Sequence, residues 1–259
     1  RDFCLSRGLG DVYKRQGFDN GGICGVCKWA QSPERIERVL KVLEMLADRY
    51  GEKEALWGIQ LLNEPVSEPV WIHASKNYKP HNPERAKGSS FVPLSTLYDF
   101  YEKGYERLRA HMPEDKMVVF HDGFRFDAWH DFFTEHDFKN VILDAHWYLG
   151  MTPGGALGDC DLTYMEKILR DHAYNLEQME KVVPVVVGEW CLSHNLPEGM
   201  TDLEKQLSYR MIGDAQLSAW EHGTGYFFWS YKLISEPDGW DFRRCVEKGW
   251  MPSNVETGR

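Results

Sequence analysis

Five short runs of mainly apolar residues punctuate the chain, and between several of them apolar positions recur every three or four residues. The runs are Gly58–Leu62, KMVVFH (Lys116 to His121), NVILDAH (Asn140 to His146), VVPVVVGEW (Val182 to Trp190) and GYFFWS (Gly225 to Ser230). None alternates apolar with polar positions, as a strand with one wet face does. Continuous runs are how parallel strands covered on both faces read. The helical stretches carry their own start signals. Ser32-Pro33 reads as an N-cap and first helical residue ahead of Ile36, Val39, Leu40, Leu43 and Leu46, with Gly51 as the C-terminal stop. A second helix aligns Leu97, Tyr101, Tyr105 and Leu108. Thr163 to Glu166 and Thr201 to Glu204 are capping boxes. The first opens a helix with Ile168, Leu169, His172 and Leu176, the second a helix through Leu207, Met211 and Ala215.

Strands alternating with helices imply βαβ units, in either a doubly wound sheet or a (β/α)8 barrel. No Gly-rich dinucleotide turn follows any strand. Instead the strand ends carry chemistry: Asn63-Glu64, His121-Asp122, His146 with Tyr148, Glu189-Trp190, and Trp229. Barrel enzymes place reactive groups at those C-terminal ends. The expected fold class is therefore α/β, a (β/α)8 TIM barrel. Only five strands are legible where a barrel has eight, and long connections such as Asn63 to Val92 use up the residues between them. The expectation is an incomplete barrel, with strands four to eight present and strands one to three missing. The first 16 residues, RDFCLSRGLGDVYKRQ, show no structural period and read as an artefact; residues 17–259 form the partial barrel domain.

Composition narrows the partners. The net charge of −10 argues against nucleic acid, whose phosphates need a basic face. No apolar run approaches the roughly 18–20 residues of a membrane span. Ten Trp, 12 Tyr and 13 Phe suit either an aromatic core or the stacking of sugar rings. Cys24 and Cys27 form a lone C-x-x-C with no second pair to complete a zinc site, and unpaired thiols lean toward a reducing compartment. With no leader visible and a true N-terminus apparently missing, secretion stays open. His121, Asp122, His130, Asp131, His136 and Asp137 would suggest a metal site only if a helix and a loop converged on one strand end, so no metal is expected.

Glu64 and Glu189 are the central pair. Glycoside hydrolysis needs one carboxylic acid to protonate the leaving oxygen and one carboxylate on the other face of the sugar. Strand ends in a barrel converge on one axis, so glutamates distant in the chain can serve together. Two unrelated strand-end glutamates are the alternative.

LLNEP, DAHWY, VVVGEW and FFWSYK resemble the signatures of strands four, six, seven and eight of glycoside hydrolase family 5. GFDNGG (Gly17 to Gly22), LYDFYEKGYERLR, VVFHDGFR and WDFRRCVEKGWMP are similar, in order, to segments of its exo-β-1,3-glucanases. The resemblance implies a retaining hydrolase of β-glucosidic bonds with no cofactor. Glu64 would be the acid/base and Glu189 the nucleophile. Asn63 would bind the sugar 2-hydroxyl, His146 and Tyr148 would orient nucleophile and sugar, and Trp229 would form the platform under the reacting sugar. Phe18 and Asn20 match an aromatic and an amide at the mouth of the cleft, and His121 and Asp122 would line it. Pro65 is expected to hold Glu64 in an extended conformation. The sequence departs from the family pattern at Met151, where the exo-glucanases place a second clamping phenylalanine, and in the long Asn63–Val92 loop, where Trp71 or Tyr78 could line a subsite. Rival readings are an endo-β-glucanase, a β-1,6-glucanase, a β-glucosidase or a non-hydrolytic carbohydrate-binding barrel. Five strands would also leave two edges unpaired and lack ligands for the reacting sugar. The 259-residue chain is on that account expected to be unstable or inactive by itself.

Overall fold

A computed structural model describes residues 25–77, 79–149, 166, 168–194, 196, 198–234 and 238–252. The expectations for residues 1–16, Phe18, Asn20, Cys24, Tyr78, Met151 and Thr163 lie outside these. The chain divides after Asp144 into two units, Arg1–Asp144 and Ala145–Arg259.

In the first unit, α1 (Pro33–Tyr50) starts at Ser32, whose side chain accepts the Arg35 N–H, and buries Val39, Leu40, Leu43 and Leu46 as the spacing predicts. Gly51 ends it for a different reason than expected. Its backbone is right-handed (φ −52°, ψ −42°), so no left-handed cap forms. A Cβ there would lie 2.5 Å from Ala47 O and 2.7 Å from His111 O, so the glycine serves a close approach.

Three parallel strands follow in chain order: β1 (Gly58–Gln60), β2 (Met117–His121) and β3 (Val141–His146), the division of the chain falling within β3. Gly58 pairs with Met117 and Val118 with Val141. A Cβ on Gly58 would stand 2.5 Å from Met117 O, inside any van der Waals contact. Gly58→Ala is therefore expected to lower stability by about 2–3 kcal/mol, the upper part of the overpacking range, because the obstacle is strand backbone rather than a movable side chain. Urea unfolding would check this.

The stretch from Asn63 to Val92 was expected to be one long loop. It forms two helices first, α2 (Glu68–Asn77) and α3 (Pro83–Ala86). Asn82 caps α3 through the Arg85 N–H at 3.0 Å. Trp71 sits half-buried on α2. Next comes α4 (Leu94–Arg109), burying Leu97, Phe100, Tyr101 and Leu108. Its last residue, Arg109, donates to the carbonyls of Pro113, Lys116, Lys139 and Asn140 at 2.7–3.2 Å, tying down the turns that lead into β2 and β3. A helix, α5 (Trp129–Glu135), packs Trp129, Phe132 and Phe133 into an aromatic cluster with Tyr98, Tyr101 and Phe120.

In the second unit, the end of β3 neighbours β4 (Val185–Trp190), with Trp147 N–H donating to Glu189 O at 3.0 Å. Beyond β4 lies β5 (Gly225–Phe228), parallel to it. Glu180 Oε1 accepts the N–H groups of Val185 (2.8 Å) and Thr224 (2.6 Å), clipping the starts of both strands. Two helical stretches depart from their expected faces. Ile168–His172 is a π-helical turn leading into α6 (Ala173–Met179). The wider turn rotates Leu169 outward (42% exposed) while Ile168, Ala173 and Leu176 are buried. In α7 (Asp202–Trp220) the Thr201–Glu204 capping box forms as expected. Leu207 is 61% exposed, however, and the buried face is Ile212, Ala215, Gln216, Ala219 and Trp220. β5 is less covered than its apolar run suggested, with Phe227 43% exposed. A short 3₁₀ turn (Asp238–Trp240) and α8 (Phe242–Glu247) complete the described chain.

Cys27, Cys191 and Cys245 are buried. Burial pushes the thiols of Cys27 and Cys191 up to about 12, so both remain protonated and unreactive at pH 8. Both side chains are expected to stay unmodified by iodoacetamide in the native protein and to be fully alkylated in urea, read residue by residue by tandem mass spectrometry. Among the described residues, no helix is long and apolar enough to cross a membrane.

Candidate active site

The first unit places Asn63 and Glu64 just past β1, both buried, in a segment that stays buried through Ser67. Glu64 is not extended, contrary to the expectation from Pro65. Its φ is +46°, in the left-handed region that a residue with a Cβ rarely adopts. A following proline biases against helical conformations only as a local preference. Here the surroundings override it. Val66 O accepts the Val92 N–H (2.9 Å) and an Arg125 N–H (3.3 Å), and Arg125 also donates to Val92 O (2.6 Å). Burial lowers the pKa of this guanidinium below the usual arginine value. Pro65 O would lie 3.1 Å from a Cβ on Gly123, which itself has φ +60°. The turn bearing Glu64 is thus pressed against the loop after β2. Strain of this kind costs about 1–3 kcal/mol and is characteristic of functional positions.

His121 ends β2 and Asp122 follows it, both fully buried. A His121 ring nitrogen and a Glu64 carboxylate oxygen lie within 4.8 Å of each other. Gly123 N–H donates to His121 Nδ1 at 2.8 Å, which leaves the ring proton on Nε2. The Tyr101 hydroxyl both donates to His121 O (2.8 Å) and accepts its N–H (3.1 Å). Asp122 Oδ1 accepts the Phe124 N–H, and its carbonyl accepts the Trp129 indole N–H at 2.7 Å. Beneath this layer Gln60 Nε2 donates to Asp144 Oδ2 at 2.7 Å, both buried. The remaining residues of the His/Asp set disperse: His130 and Asp131 pair on the exposed face of α5, and His136 contacts Glu102 at 3.3 Å.

The second unit gathers three of the expected residues. The Tyr148 hydroxyl donates to Glu189 Oε2 at 2.5 Å, and His146 Nδ1 lies 3.4 Å from the same oxygen. Strand geometry explains the grouping. Glu189 is the penultimate residue of β4, His146 ends the neighbouring β3, and the backbone bond from Trp147 to Glu189 sets their register. Trp229 follows β5, its backbone N–H bonded to Trp190 O (2.8 Å), and the residue is 41% exposed. The Trp229–Ser230 peptide is cis. Trp240, to which the sequence assigned no role, lies against the Tyr148 ring with centroids 4.8 Å apart and the planes tilted by 31°.

Each unit thus ends its parallel strands on polar or aromatic groups: Asn63, Glu64, His121 and Asp122 in the first, and His146, Tyr148, Glu189 and Trp229 in the second. Residues 27–233 match the model of the cellulase family, glycosyl hydrolase family 5, and the chain belongs to that family. It is 26% identical over 276 residues to a glucan 1,3-beta-glucosidase of Yarrowia lipolytica, covering 92% of this chain and 58% of that protein. Against the glucan 1,3-beta-glucosidase of Candida oleophila the identity is 25% over 303 residues, covering 97% and 63%. The chain thus spans about three-fifths of the length of these curated relatives. Among solved structures, the endoglucanase Cel5A of Thermotoga maritima superposes with a TM-score of 0.51 at 12% identity, over 86% of this chain and 67% of that one, a likeness of fold.

Proposed function

We propose that residues 17–259 belong to the catalytic domain of a retaining glycoside hydrolase that cleaves β-glucosidic bonds, with exo action on β-1,3-glucan. The observation that carries the reading is the phenol-to-carboxylate bond between Tyr148 and Glu189, beside His146, at the end of β4. Such a bond orients one carboxylate oxygen while the group attacks. In the first step Glu189 attacks the anomeric carbon and Glu64 gives its proton to the departing glycosidic oxygen. In the second, Glu64 takes a proton from water, whose oxygen attacks the same carbon and releases Glu189. This double displacement needs the two carboxyl groups about 5–5.5 Å apart. Asn63 serves the sugar 2-hydroxyl, His121 and Asp122 line the cleft, Trp229 stacks under the reacting ring, and Phe18 and Asn20 bind at the mouth. The preference for β-1,3 linkages is supported by the names of the relatives, at about 25% identity.

The test is covalent trapping. A 2-deoxy-2-fluoro-β-glucoside with a good leaving group is expected to label the peptide bearing Glu189. Laminarin is expected to yield glucose as the sole early product. Label on another residue would overturn the nucleophile assignment, mixed oligosaccharides the exo assignment, and absence of both label and hydrolysis would favour a binding barrel or an inactive chain.

A further inference from the structure

Residues Gly239–Phe242 run past the ends of β4 and β5 and reach the residue two beyond β3. Gly239 O accepts the Leu192 N–H (2.9 Å), two residues beyond β4. Trp240 O accepts the Ser230 N–H (2.8 Å), and Phe242 N–H donates to Ser230 O (3.0 Å), two residues beyond β5. The Trp240 ring lies on Tyr148, tilted 31° with centroids 4.8 Å apart. The segment is itself fixed. The buried Asp241 accepts the N–H groups of Leu233 and Arg244, each at 2.8 Å. Gly239 is pressed so close that a Cβ would stand 2.6 Å from Ser193 N and 2.7 Å from Ser193 Cα. Phe242 meets Phe228 edge-on at 5.4 Å.

This arrangement does more than fill space. Tyr148 is half-buried, and one of its neighbours is the Trp240 ring. The position of its hydroxyl sets the Glu189 carboxylate through the 2.5 Å bond. We propose that Trp240 is a positioning residue: the strap Gly239–Phe242 holds the Tyr148 phenol, and through it Glu189, in the orientation the reaction needs. The catalytic part of this statement rests on Glu189 being the nucleophile; the part about Tyr148 does not.

Two measurements separate these parts. The first is the rate of trapping by the 2-fluoro-glucoside in Trp240→Leu, Trp240→Phe, Tyr148→Phe and the double variant Trp240→Leu/Tyr148→Phe. Leucine keeps apolar bulk without a flat face, and phenylalanine restores the face. Trp240→Leu is expected to trap roughly ten- to a hundredfold more slowly, the scale on which a misplacement near 1 Å is felt. Trp240→Phe should recover most of the rate, and the double variant should be no slower than Tyr148→Phe alone. Equal rates in Trp240→Leu and wild type, or additive losses in the double variant, would overturn the proposal. The second measurement is the 13C resonance of the Tyr148 Cζ in tyrosine-labelled protein, assigned through Tyr148→Phe. Trp240→Leu should shift it and Trp240→Phe should not. An unmoved resonance in Trp240→Leu overturns the proposal even where no trapping occurs. Failure of wild-type trapping alone counts against the proposed hydrolysis, not the strap, and leaves the resonance to decide the strap.

Discussion

Glu189→Ala is expected to lose hydrolysis of β-glucosides by roughly 10⁴-fold or more, the scale on which removal of a nucleophile acting within a unit is felt. Added azide should then restore turnover of a substrate with a good leaving group. The stereochemistry carries the argument. Azide entering the space left by Glu189 attacks the anomeric carbon from the face opposite the leaving group and yields the α-glucosyl azide. Glu64→Ala with azide should give the β-glucosyl azide, because there the nucleophile has already inverted the centre once. NMR of the two products assigns both roles. A β-azide from Glu189→Ala would mean that the roles of the two glutamates are exchanged.

Glu64→Gly is expected to be more stable than Glu64→Ala by about 1 kcal/mol, the reverse of the usual order. At an ordinary position glycine is the worse choice by roughly 0.4–1 kcal/mol, because the unfolded chain gains freedom. At φ +46° the alanine Cβ meets the same left-handed cost as the glutamate, about 1–3 kcal/mol, and glycine does not. The difference corresponds to roughly 2–4 °C in Tm for a chain of this size. Both variants remove the carboxyl group and should lose hydrolysis of laminarin alike, so activity and stability move apart at one residue. Alanine equal to or better than glycine would show that the turn is unstrained.

Most of this fold was legible because its strands are apolar throughout and its longest helices are capped in sequence. All five runs became strands, and Ser32 and Thr201 cap the helices they were expected to start. The failures have separate physical causes. The segment after Glu64 hid α2 because Pro69 interrupts the pattern early and its apolar residues form no clean stripe. The π-helical turn at Ile168–His172 was invisible because an extra residue per turn shifts the face without changing composition. Glu64 was misread because a neighbour's bias was weighed without the Arg125 and Gly123 contacts that oppose it. Asp144 could have been found, since it lies two residues before His146 on the same strand and so shares its face. Trp240 could not, because only the folded chain brings it to Tyr148.

The chain-order arrangement of strands also bears on how the protein assembles as it is synthesised. Gly58 and Met117 are 59 positions apart (117 − 58), whereas Val118 and Val141 are 23 apart (141 − 118). Closing the longer loop costs roughly 0.8 kcal/mol more entropy. β2 and β3 are therefore the pair favoured to meet first, with α5 folding between them. β1 joins afterwards, across the excursion that holds α2 and α3. On this order the left-handed turn carrying Glu64 is among the last parts of its unit to be set, pressed into shape by a framework already in place.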